Sequence, residues 1–141
     1  MRKRSVLGAA LVLAAAAPLA LNPAAASATG STGSTGSQVS INQYADFNFN
    51  GTQLDVGLQV ACRGGTGLVN VWVDQYYPDT PDPLGAHGGG VMDVVCDGKM
   101  HNVGVTVIGV IFDAGKARAT ATLTAPSGAV TISRSIVVRV V

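Results

Sequence analysis

Residues 53–62 read QLDVGLQVAC, with Leu54, Val56, Leu58, Val60 and Cys62 on one parity and Gln53, Asp55 and Gln59 on the other. A β-strand turns successive side chains to opposite faces, so this alternation marks a strand with one face in a core and one in water. The run decides the fold because the same period recurs on both sides of it.

Toward the C-terminus, Val69, Val71 and Val73 alternate with Asn70, Trp72 and Asp74, and Met92, Val94 and Cys96 oppose Asp93 and Asp97. Val103, Val105 and Val107 oppose Asn102 and Thr106, and Ala117, Ala119, Ala121 and Leu123 oppose Arg118, Thr120, Thr122 and Thr124. A last strand from about 130 to 141 keeps Ile136, Val138 and Val140 on one parity. Arg134 shares that parity, which predicts a bulge near Ser133. Toward the N-terminus, a strand around 39–49 runs into Asn50 and Gly51, a dipeptide suited to a type I′ hairpin. Seven strands and no segment of helical period predict an all-β domain. Half-apolar strands need a second apolar face, and seven short antiparallel strands in about 100 residues fit a two-sheet sandwich.

The strand ending at Cys62, the valine-rich strand carrying Trp72, and the corner Asp113, Ala114, Gly115 before the strand from Lys116 to Thr124 resemble an immunoglobulin-type domain. Ala117 and Ala119 stand where that fold usually has a tyrosine and a cysteine, and the second cysteine is at Cys96. The cysteine-ending strand, the Cys96, Asp97, Gly98 turn with His101 behind it, and the step Phe112, Gly115, Ala117 also resemble a group of small, uncharacterised secreted actinobacterial proteins. That resemblance implies an immunoglobulin-like, two-sheet antiparallel β-sandwich and an extracellular location. It implies no activity.

The N-terminus carries a different signal. Arg2, Lys3 and Arg4 precede an apolar run from Val6 to Ala17, and Ala26, Ser27, Ala28 supply small residues. This is the pattern of a secretory signal peptide over 1–28. Pro18, Asn22 and Pro23 interrupt the run before it reaches the roughly 20 residues a membrane span needs. Residues 29–38 begin with three Thr-Gly-Ser repeats and read as a linker, and 39–141 form the domain. Loss of 1–28 leaves six basic against eight acidic residues, a net charge of −2. No basic patch for nucleic acid or anionic lipid remains, and no membrane span is expected after cleavage.

Two cysteines in an exported chain are expected to oxidise, and Cys62 and Cys96 both lie on the apolar parity of their strands. A Cys62–Cys96 disulfide turns CDGKMH, residues 96–101, from a reactive cluster into a stapled turn. His87 and His101 are too few ligands for a zinc site. HGGG at 87–90 lacks the Gly-x-Ser-x-Gly elbow of the α/β-hydrolases and reads as part of an irregular loop from 76 to 90. Asp79 and Asp82 in that loop lack calcium-loop spacing, and with glutamate absent no acid/base pair is recognisable.

One group of residues keeps a functional reading. With Val69, Val71 and Val73 inward, Asn70, Trp72, Asp74 and Tyr76 form an outer ligand-binding face of two aromatics and two hydrogen-bonding groups. The expectation is a secreted, non-enzymatic binding or surface structural module without a cofactor or metal, meeting a protein or glycan at the cell surface. A small-ligand carrier resembling the enediyne antibiotic apoproteins is the alternative, and a secreted hydrolase the second.

Overall fold

The computed structural model describes residues 31–32, 36–47, 51–76 and 85–141, and all regular structure among them is β. The expected signal peptide, most of the repeat that follows it, and Asp79 and Asp82 lie outside the described residues. In chain order the strands are β1 Ser31–Thr32, β2 Gln38–Phe47, β3 Gln53–Ala61, β4 Arg63–Gln75, β5 Ala86–Asp97, β6 His101–Gly109, β7 Gly115–Ala125 and β8 Gly128–Val140. Their order is β1-β2-β3-β6-β5-β4-β7-β8, and β2 also pairs with β8. Seven strands, β2 to β8, therefore close into a barrel, with the two-residue β1 added beside β2.

This corrects the expected immunoglobulin-like two-sheet antiparallel β-sandwich. Two junctions join edges that a sandwich would leave apart. At the first, Tyr44–Phe47 of β2 pair in parallel with Val137–Val140 of β8, so the closure is not antiparallel throughout. At the second, β5 pairs with β4 along nearly its whole length and also with β6 through Gly88↔Gly109 and Gly89↔Ile108.

The second junction depends on glycine. A Cβ on Gly88 would lie 2.7 Å from the Ile108 carbonyl oxygen and 2.9 Å from Gly109 Cα, closer than side-chain carbons approach. HGGG is thus extended strand near the start of β5, paired with β4, and the strand already begins at Ala86 inside the expected irregular loop. Three glycines have no side chains to alternate, so the period-2 signal vanishes where the backbone approach is tightest.

The interior matches the parity reading. Leu54, Val56, Leu58 and Val60 of β3, Val69, Val71 and Val73 of β4, and Ala119, Ala121 and Leu123 of β7 are all at most 1% exposed. Burial of each branched side chain contributes about 1.5–3 kcal/mol as an upper bound. Small β7 alanines and larger β3 and β4 residues belong to one buried cluster inside the barrel, as expected of a narrow barrel filled by side chains. Met92 is a local exception: it was expected inward with Val94 and Cys96 but is 39% exposed, on the part of β5 that no longer pairs with β6.

Arg134 was expected to mark a bulge in β8 near Ser133. The β7–β8 register runs without a shift from Gly115↔Val138 to Ala125↔Gly128. The irregularity is instead in β2, between Ile41 and Ala45, and Arg134 donates to the Ile41 carbonyl oxygen across it.

The expected linker is tied to the barrel at two places. Ser31–Thr32 pair with Gln38 and Val39, and buried Ser37 hydrogen-bonds the Ser127 hydroxyl at 2.7 Å and the Gly128 carbonyl at 3.0 Å.

Candidate functional site

β4 carries the candidate face. Its inner parity, Val69, Val71, Val73 and Gln75, is buried, so Asn70, Trp72 and Asp74 point outward. Trp72 is 46% exposed and Tyr76, just past the strand end, is 66% exposed.

The indole is held from two sides. Its Nε1–H donates to Asp74 Oδ1 at 2.8 Å, two residues along the same face. Its ring stacks on His87 of β5, with centroids 5.9 Å apart and planes 23° from parallel. His87 stands opposite Asp74 in the β4–β5 register, and Gly89 stands opposite Trp72. A Cβ on Gly89 would sit 3.0 Å from the indole Cε3, so glycine lets the ring lie down close to the sheet. The outcome is an aromatic plate with one side against the barrel and the other open to water.

Hydroxyls line the β7 side of the plate. Thr120 of β7 faces Trp72 and Thr122 faces Asn70. Their side chains bond to Ser133 and Thr131 of β8 at 2.8 and 2.9 Å. Tyr76 and Asp74 line a shallow hollow of about 240 Å³ with Lys116, Arg118 and Ser135. The structure brings Trp72 and Asp74 into direct contact and sets Tyr76 beside Asp74. Asn70 lies one step along the strand, opposite Val91.

His87 is the member of this site that the sequence reading passed over. Its contribution comes from register with Asp74, which no local pattern in HGGG announces. Gln75 was missed for a related reason. Only 3% exposed, it accepts from the Asp113 N–H at 2.9 Å and donates to the Asp113 carbonyl at 2.8 Å. It thereby clamps the corner before β7 to the end of β4, next to buried Phe112.

The turn at CDGKMH is a stapled one. Cys62 and Cys96 form a disulfide, with Cα atoms 4.4 Å apart, between the end of β3 and the end of β5. Gly98 takes φ 84° and its N–H donates to the Cys62 carbonyl at 2.8 Å. Asp97 Oδ1 meets His101 Nε2 at 2.8 Å and accepts from the Lys99 N–H at 2.9 Å. These contacts, His101 foremost, hold the Asp97 carboxyl below its ordinary range. His101 and Asp97 are about one-third exposed and act as a turn clasp.

No family model and no curated protein sequence matches the chain. Among solved structures it is similar to the crystal structure of the periplasmic chaperone SfaE, with a TM-score of 0.36 and 9% sequence identity. The match covers 72% of this chain and 56% of the chaperone, so the chain spans little more than half of that protein's length. Among the described residues no helix is long and apolar enough to cross a membrane, and no group of three His, Cys, Asp or Glu stands close enough to hold a metal ion.

Proposed function

We propose that the chain is an exported, non-enzymatic binding module whose outer β4–β5–β7 face takes a carbohydrate. The observation that carries this reading is the fixed, half-exposed indole of Trp72. Sugar rings present C–H faces that stack on aromatic planes and hydroxyls that need partners at the ring's edge. Trp72 supplies the plane, while Asp74, Asn70 and Thr120 supply hydrogen-bonding groups around it. An indole already immobilised by Asp74 and His87 has little rotamer freedom left to lose on binding, which favours affinity. Tyr76 offers a second aromatic within reach of a longer glycan. The disulfide and the signal-like segment 1–28 support export.

A small-ligand carrier would hold its ligand in a recess, and the barrel interior is packed with aliphatic, phenylalanine and disulfide side chains. The binding reading needs only the outside.

Electrophoresis of the mature protein through gels containing soluble xylan, β-glucan or glycol chitin tests it. At least one polysaccharide should retard the protein, Trp72→Ala should abolish the retardation, and Tyr76→Ala should weaken it. No retardation in any gel, or equal retardation of Trp72→Ala, would overturn the reading. Release of reducing ends would replace binding with hydrolysis.

A further inference from the structure

A second recess lies away from Trp72, where β2 breaks. β2 and β4 are separated around the barrel by β8 and β7 on one side and by β3, β6 and β5 on the other. β2 pairs with β3 at Ile41↔Leu58 and resumes at Ala45↔Val56, so Asn42, Gln43 and Tyr44 stand opposite the single residue Gly57. All three are pushed outward and exposed. With glycine at 57 the Asn42 amide lies against the β3 backbone, where a Cβ would come 3.1 Å from Asn42 Cγ and turn the amide aside. The result is a groove of about 780 Å³ between β2, β3 and β8.

Two aspartates and two arginines line this groove, and only one pair of them is joined. Asp46 is held by Arg139, whose Nη2 and Nε lie 2.7 and 2.9 Å from its Oδ1. Asp55 accepts from the Thr106 hydroxyl at 2.7 Å. Arg134 is half-buried and donates one N–H to the Ile41 carbonyl. Among the described residues no carboxylate lies within ion-pair distance of it. A half-desolvated guanidinium with most of its donors unspent favours an anionic ligand, and its fork matches a carboxylate. The other groups suit a sugar. Tyr44, 45% exposed, is steadied by the Arg139 guanidinium 4.4 Å from its ring centroid, and Asn42, Gln43 and Gln59 line the groove with amides.

We infer that the β2 groove binds a carbohydrate unit bearing a carboxylate. Arg134 receives the carboxylate, Tyr44 receives the ring, and Asn42, Gln43 and Gln59 receive hydroxyls. This site is independent of the Trp72 face and stands or falls separately from it.

The test titrates isotope-labelled protein with oligomers of galacturonate, glucuronate and mannuronate and with N-acetylmuramate, each beside its methyl ester. An acid form should shift the NMR signals of Asn42, Tyr44, Gly57 and the Arg134 guanidinium while the Trp72 indole signal stays in place. The matching ester should bind at least tenfold more weakly. Arg134→Gln should remove binding, and Arg134→Lys should keep part of it. Because Arg134 also ties the β2 bulge, Tyr44→Ala serves as the variant that leaves the fold alone, with a severalfold loss expected. The inference is overturned if no acid shifts these signals, if the esters bind as well as the acids, or if Arg134→Lys and Tyr44→Ala bind like the parent chain.

Discussion

Trp72 owes its position to two neighbours of different kinds, a carboxylate on its own strand and an imidazole on the next. Neither contact buries the ring fully, so the indole contributes less to stability than a core aromatic. Trp72→Ala should therefore cost well under the ~3–5 kcal/mol typical of a buried large aromatic, measured by urea unfolding. The parent fluorescence should be red-shifted and quenched by iodide. Blue-shifted, iodide-insensitive emission with severe destabilisation would place the ring in the core. Asp97 is a residue-scale case with a pH signature. Its folded pKa lies below the ordinary 3.8, so its contribution is complete above that value and is lost as pH falls through the lower folded pKa. Carboxyl NMR should show a midpoint below 3.8 that rises toward it in His101→Ala, because the His101 hydrogen bond is the largest cause. A midpoint unmoved by that substitution would mean His101 does not hold Asp97.

At the scale of elements, the parity of β3, β4 and β7 was legible in the sequence because each strand has side chains that alternate in size and polarity. What escaped was how strands meet. Arg134 on an inward parity announced an irregularity, but both ladders of β8 run unbroken, and the extra residues are in the β2–β3 ladder, whose break Arg134 reaches through the Ile41 carbonyl. HGGG escaped because glycine carries no parity. Its meaning is a backbone approach to Ile108 and Gly109, residues about twenty positions away. Half of the site was legible for the same reason: Trp72 and Asp74 share a strand face, whereas His87 joins them only through pairing with β5. Gly88→Ala should push β5 from β6 and destabilise the protein by about 1–3 kcal/mol, the usual cost of overpacking. Ala114, exposed and outside any strand, offers a comparison, since Ala114→Gly should change stability little. Equal, small effects at both positions would show that the Gly88 junction is not tight.

For the whole molecule, closure explains why the two proposed binding faces lie outside. A seven-strand barrel with interior residues from every strand has its core spoken for, and the chemistry left over sits on outer parities and at the β2 break. Closure also keeps these faces stiff, because β4 is laddered on both edges beneath Trp72. The two contacts that separate a closed barrel from an open sandwich are the parallel β2–β8 ladder and the Gly88–Gly89 junction of β5 with β6. Interstrand NOE measurement on the protein reads both at once. Backbone NOEs should connect Tyr44–Phe47 with Val137–Val140 in a parallel pattern and Gly89 with Ile108. If those cross-peaks are missing while the β3–β6 and β4–β7 ladders are present, the strands form two open sheets and the barrel account fails.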